Sequence, residues 1–172
     1  EPIDIPGSVT LEGAQRSSPP REMIGSVILA DVPSGDEDGK AFITLHTRST
    51  LSGLCITYPQ QNDPENIKPF PWCVRSISDN TAIINCLLHN PYQAVDFGSQ
   101  VSGRHFIDGL YGQPLKRGLF IDNCFDAGRV RNVHFWPFWS SKCRSFMETE
   151  GTASIFGRTD WEFVDSCFCI WY

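Results

Sequence analysis

Three acidic residues and a histidine stand where acid–base chemistry could be done: Asp122, Asp126, His134 and Asp160. Hydrolysis of a glycosidic bond needs two carboxyl groups ~5–10 Å apart. Neighbouring strands lie ~5 Å apart, so carboxylates on adjacent strands meet that requirement. Elimination would instead need a base and a cation, from Arg or calcium, to neutralise a carboxylate. His134 lies between Val133 and Phe135, so strand alternation turns it outward. The competing reading of all four is a solvated surface or turn residue.

A second group could hold a ligand. The dipeptide Gly-Arg recurs at Gly103-Arg104, Gly128-Arg129 and Gly157-Arg158. In register, three guanidinium groups would line one edge and repel each other unless an anion sat among them. Arg104, Arg129 and Arg158 would then grip carboxylates in bidentate fashion. Alternatively they pair with local acids such as Asp126 and Asp160. The segment His134–Trp139 (HFWPFW) is dense in aromatics and is stiffened by Pro137. Aromatic faces stack on sugar rings, so Trp136 and Trp139, extended by Tyr111 and Trp161, make a candidate platform. The alternative is a hydrophobic plug with Phe135 and Phe138 turned inward.

The elements that must position these residues are legible as a repeated phrase: an apolar run, a short turn, a second apolar run. It occurs at Ala41–Ile56, Trp72–Leu88, Ala94–Tyr111, Gly118–Phe135 and Ala153–Ile170. A small or polar residue interrupts each second run, at Gly53, Asn85, Gly109, Asn132 and Ser166, in steps of 32, 24, 23 and 34. Such a repeat, with its excess length in loops, predicts a stacked β-solenoid whose copies bury one another. Leu51, Leu54 and Ile56 match Ile83, Cys86 and Leu88, then Val130, Val133 and Phe135, then Val164, Cys167 and Cys169; these positions are expected to face inward. A β-sandwich also has short strands, but it does not predict matching residues in every copy.

Outside the copies, Ser17–Arg21, Asp31–Lys40 and Pro59–Pro71 read as loops from their Pro, Gly and charge content. Almost no helix is expected; Ser140–Glu150 is the weak candidate. The 172 residues predict one domain, 1–172. Apolar runs fall short of the ~18 residues of a membrane span. The net charge of −6 disfavours nucleic acid as the main partner. The first residue is Glu1 and the last six, Cys-Phe-Cys-Ile-Trp-Tyr, read as mid-strand, so the solenoid is expected to be part of a longer chain. Trp171 and Tyr172 as a short cap is the alternative.

Of seven cysteines, Cys55, Cys86, Cys124 and Cys167 fall in repeat strands. They would stack as a buried internal ladder, or else form disulfides. No Cys-x-x-Cys occurs and the four histidines lack ligand spacing, so no metal site is expected.

PGSVTLEGAQ, AFITLHTRSTLSGLCI and the copies ending RNVHF and VDSCF resemble the right-handed, single-stranded parallel β-helix of the pectate lyase-like superfamily. The likeness is to its rhamnogalacturonase/epimerase-type members, related to family 28 glycoside hydrolases. It runs from Pro6 to the C-terminus. It implies an extracellular or cell-surface protein that acts on polysaccharide, typically acidic and pectin-like, by glycosidic bond cleavage, with no cofactor unless calcium serves a lyase. The Asn-Thr-Asp, Asp-Asp, Gly-His-Gly and Arg-Ile-Lys strings of those hydrolases are missing here, Thr159-Asp160 being at most a fragment. A glycan-binding module, or a structural β-helix of a surface fibre or adhesin, is the alternative expectation.

Overall fold

In the chain, strong β-formers and αL-tolerant corner residues recur together, and this sets the architecture. The computed structural model describes residues 1–14, 23 and 25–172. The loop expected at Ser17–Arg21 lies outside the described residues.

The strands are β1 (Ile3–Ile5), β2 (Thr10–Glu12), β3 (Ser26–Leu29), β4 (Ile43–Leu45), β5 (Thr50–Ser52), β6 (Leu54–Thr57), β7 (Trp72–Ser76) and β8 (Ala82–His89). They continue with β9 (Gln93–Phe97), β10 (Ser102–Gly103), β11 (Phe106–Gln113), β12 (Arg117–Ile121) and β13 (Cys124–Phe135). A short helix, α1 (Arg144–Glu150), precedes β14 (Thr152–Phe156), β15 (Thr159–Asp165) and β16 (Phe168–Cys169). The helix falls inside the one segment where the sequence allowed it. Met147 pins it against Leu115 and Cys143.

The protein is mostly β, in parallel sheets. One sheet runs β1-β4-β7-β9-β12-β14, and the other contains the path β2-β5-β8-β11-β13-β10, with β3, β6, β15 and β16 attached. Every described strand pairing is parallel, as in β4 with β7 and β11 with β13. Sandwich hairpins are antiparallel, so the sandwich reading fails on pairing alone. Each copy of the phrase gives a strand to the first sheet and then crosses to the second.

The matched apolar positions meet in register as the sequence predicts, but Val164, Cys167 and Cys169, expected inside, are exposed on the last strands. Leu51 pairs with Ile83, Ile83 with Ile107, Ile107 with Val130, and Val130 with Val164. Leu110 stands between Cys86 and Val133. The members of these rows from Leu51 to Val133 are buried in one core, which Phe97, Ile121 and Phe135 help to fill. The spacing of 51, 54 and 56 breaks simple alternation, and its cause is conformational. Gly53, Asn85, Gly109, Asn132 and Ser166 all have positive φ, between 51° and 76°. One left-handed residue bends the strand, so the residues on either side of the bend face the same interior. Gly takes that conformation without steric cost, and Asn with little.

A second left-handed corner stands at Arg48, Asn80, Arg104 and Asp126. Arg48 N–H donates to Asp79 O, and Asn80 N–H donates to Gly103 O, which ties corner to corner.

The cysteine ladder does not form. Cys86 and Cys124 lie in the main core, but Cys55 packs outside it with Leu87 and Tyr111. Leu110 and Val133 separate Cys86 from the level of Cys167. Cys73, Cys86, Cys124, Cys143, Cys167 and Cys169 carry no disulfide.

Late in the chain, one contact spans three strands. His105 Nε2 lies 3.0 Å from Glu162 Oε1, with side chains 0% and 8% exposed. Gly128, opposite Glu162 in the ladder, leaves the space in which they meet: a Cβ there would fall 2.5 Å from His105 Nε2 and against Glu162 Oε2. Phe97 packs edge-on against the imidazole.

Candidate functional site

On the first sheet, three successive strands carry related four-residue phrases: Trp72-x-x-Arg75 on β7, Gln93-x-x-Asp96 on β9 and Arg117-x-x-Phe120 on β12. Strand register sets Trp72 beside Gln93 and Gln93 beside Arg117. It likewise sets Arg75 beside Asp96 and Asp96 beside Phe120. Arg75, Asp96 and Phe120 take the face opposite the buried Val74, Val95 and Leu119, as alternation requires.

The middle strand holds both arginines. Arg75 Nε donates to Asp96 Oδ2 at 2.6 Å. Asp96, fully buried, also accepts the backbone N–H of Gly98 at 3.0 Å and of Ser99 at 2.8 Å. Arg117 donates through a terminal nitrogen to Gln93 Oε1 at 2.6 Å. The Gln93 amide donates in turn to Glu37 O and Phe70 O, so it cannot rotate away. Across this floor the Trp72 and Phe120 rings stack, with centroids 6.2 Å apart and planes at 20°. With Asp38, Ser99 and Ile155 these groups line an open cleft of about 350 Å³. Each guanidinium spends part of its donor fork on the floor, and Arg117 also faces Glu37 Oε1 at 4.0 Å; the remaining donors are open to a ligand. Stacked rings beside fixed donors suit a sugar bearing hydroxyls or carboxylates.

Asp38 is the one carboxylate among the described lining residues. Asp96 is spent on a guanidinium and two amides, and its complete burial keeps it from a substrate. Among its described lining residues the cleft therefore lacks the carboxyl pair that hydrolysis needs.

The residues singled out from sequence fall in three other places. Asp122, Asp126, Asp160, Arg104 and Arg158 gather at one corner. Arg158 N–H donates to Asp122 Oδ1 at 2.6 Å, and its guanidinium donates to Asp160 Oδ1 at 3.2 Å. Asp126 N–H donates to Asp160 Oδ2 at 3.3 Å, while Arg104 bonds Asp79 at 2.6 Å and stands 3.8 Å from Asp126. The three arginines do not form a strip. Arg104 sits at a corner, Arg129 in mid-strand opposite Phe106 and Phe163, and Arg158 at the next turn. Gly103 pairs with Phe125 and Phe106 with Arg129, so Gly128-Arg129 lies three residues further along β13 than the place level with Gly103-Arg104. Arg129 lies over the Phe163 ring.

His134 is not with the carboxylates. It lies eight residues beyond Asp126 on β13, of order 25 Å at ~3.3 Å per residue. Its ring meets Trp136 at 4.5 Å, Phe168 at 4.7 Å and Trp139 at 6.0 Å. Burial holds its pKa below the usual histidine range, and its Nε2 is buried without a hydrogen bond. It is outward-facing, as alternation requires, but roofed by the aromatic segment. Tyr111 is not a platform residue: it is 3% exposed and packs with Cys55 and Leu87 under Trp139. Trp136 and Trp139 are half-buried, and Phe138 points outward where the plug reading had it inward.

Trp72, Arg75, Arg117 and Phe120 escaped the sequence reading. The available signal was the reciprocal W-x-x-R and R-x-x-F pattern at the start of two copies. No group of metal-ligating side chains occurs among the described residues. No helix among them is long and apolar enough to cross a membrane.

No protein-family model matches the chain, nor does any curated protein or solved structure.

Proposed function

We propose that this chain is a right-handed parallel β-helix that binds an acidic extracellular polysaccharide in the cleft lined by Arg75, Arg117 and Phe120. The β-helix reading is supported by exclusively parallel pairing among the described strands, one strand per copy in the first sheet followed by a crossing to the second, and matched inward positions. The single observation that carries the function is the locked pair of arginines flanking a stacked aromatic pair. Arg75 and Arg117 are fixed by Asp96 and Gln93 before any ligand arrives, so little ordering entropy is lost on binding. Carboxylates on the polymer meet the remaining guanidinium donors, and the ring face of a sugar meets Phe120, which the buried Trp72 backs from beneath.

Binding is preferred to cleavage because the cleft presents one carboxylate. Cleavage is the second reading, favoured by the gathering of Asp122, Asp126 and Asp160 at one corner. Against it, each of those carboxylates already receives hydrogen bonds or faces an arginine.

The test is affinity electrophoresis of the protein through polygalacturonan, alginate and a neutral glucan, with reducing ends and unsaturated-product absorbance measured in parallel. Retention by the acidic polymers without product is expected, and Arg117→Gln should weaken it about tenfold, the worth of one charged hydrogen bond. Accumulating product of either kind would overturn the binding reading, and loss of that product in Asp160→Asn would establish the corner. Migration unaffected by every polymer would sink the glycan reading altogether.

A further inference from the structure

The second sheet carries a hollow of its own. It lies where three distant segments meet: Asn62 after β6, His89 at the end of β8, and Trp139–Lys142 after β13. Its volume is about 380 Å³, and its lining is Asn62, His89, Trp139, Ser140 and Lys142. From these residues we infer a second binding site for a uronate-bearing saccharide, which makes the protein bivalent. The inference rests on the acidic-glycan reading above and adds a separate place of contact.

The hollow is built from fixed parts. Gln113, fully buried, clamps Ser140 from both sides: its amide donates to Ser140 O at 2.6 Å, and Ser140 N–H donates to its Oε1 at 2.7 Å. That clamp holds the segment carrying Trp139 and Lys142. Trp139 is further set by Trp136, 5.4 Å away, and by packing on Cys55, Leu87 and Tyr111. His89 Nδ1 lies 2.9 Å from Thr57 Oγ1, and its ring also meets the Trp139 backbone. It is 6% exposed and serves to hold Trp139 in place.

The groups that face a ligand are of three kinds. Asn62 Oδ1 accepts from Asn90 Nδ2 at 3.0 Å, which leaves the Asn62 amide hydrogens for a guest. Lys142 is exposed, and no carboxylate lies within 4 Å of its ammonium among the described residues. Trp139 contributes an indole. No carboxylate lines the hollow, in contrast to Asp38 in the cleft of the first sheet. A ring plane, an amide donor and an ammonium without an ion pair to a described carboxylate select a sugar carrying a negative charge. The two sites lie on different sheets. One protein can therefore hold two polymer strands, or two stretches of one strand, with the avidity that follows.

The experiment is calorimetric titration of the full chain with a short oligogalacturonate, followed by light scattering with long polygalacturonan. Wild type should take up about two oligomers per chain, and Asn62→Ala/Lys142→Gln and Arg117→Gln about one each. Scattering from cross-linked polymer should collapse in both variants. Thermal melting of each variant must match wild type; Lys142→Gln alone serves if the double variant melts early. One oligomer per wild-type chain, unaffected by Asn62→Ala/Lys142→Gln and lost in Arg117→Gln, would remove the second site and leave the first. Binding lost in Asn62→Ala/Lys142→Gln and untouched by Arg117→Gln would remove the first and keep the second. No uptake by wild type would end both.

Discussion

Raising the pH should unfasten the last strands of the second sheet through His105. Burial disfavours the charged imidazole. Contacts with Cys124 and with the Glu162 carboxylate outweigh it, and the pKa is raised from 6.5 to about 9. A raised folded-state value means that the protonated form is the stabilising one. The contribution is therefore complete below pH 6.5, declines between 6.5 and about 9, and is gone above. At 1.36 kcal/mol per pKa unit the displacement corresponds to about 3 kcal/mol. This is a substantial share of the ~5–15 kcal/mol that holds a domain together. For a chain of this size it corresponds to roughly 6–12 °C in Tm. The perturbation is His105→Gln, which keeps a polar side chain and cannot be protonated. Urea denaturation of wild type and variant at intervals from pH 6 to pH 10 reads the difference. The gap should be widest near pH 6 and should close by pH ~9.5. Hydrogen exchange should place the loosened amides in β15, which carries Glu162. A gap that stays constant across this range would refute the reasoning, because it would mean that the imidazole is neutral in the fold. Gly128→Ala offers an independent check. Its methyl would wedge between the partners and should cost ~3–5 kcal/mol at pH 6, as breaking a buried pair does.

Further consequences follow from other residues. Gly109→Ala should cost ~1–3 kcal/mol in denaturant titration, because φ is 76° there and the new Cβ falls 2.5 Å from Asn85 Oδ1. Asp96→Ala should destabilise by ~3–5 kcal/mol and also weaken polymer retention, since it strands Arg75 and frees the amides of Gly98 and Ser99; normal stability would show that the pair is not formed. Lys40→Ala should leave the denaturant midpoint unchanged, because the Lys40–Asp4 pair is half exposed on both sides. Phe120→Ala should weaken glycan retention, while Phe138→Ala, outside either cleft, should leave it intact.

Much of the architecture could be read from the chain because the rows are written into it. Leu51, Ile83, Val130 and Val164 recur at matching places, and the interrupting Gly, Asn and Ser mark the corner. Both signals are local: an apolar side chain wants burial wherever its neighbours stack, and only a few residue types accept positive φ. The short helix near Ser140–Glu150 was legible for the same reason.

The sites were less legible. The Gly-Arg recurrence suggested a strip, but strand register sets Arg129 three residues beyond the level of Arg104, and the dipeptide itself does not fix that register. Tyr111 has the chemistry of a platform residue, yet the aromatic segment after Phe135 folds back and buries it.

Residue order alone determined which side chains could face a core and where each strand must bend, because burial and backbone conformation depend on a few neighbouring residues. The tertiary structure alone decided which charges and rings meet. Arg75 and Arg117 are 42 residues apart, and they flank one cleft because β9 inserts Gln93 and Asp96 between them. His105 and Glu162 are 57 residues apart and touch because Gly128 leaves them room. Those meetings depend on loop lengths and register, which fix where each copy lands on the one before.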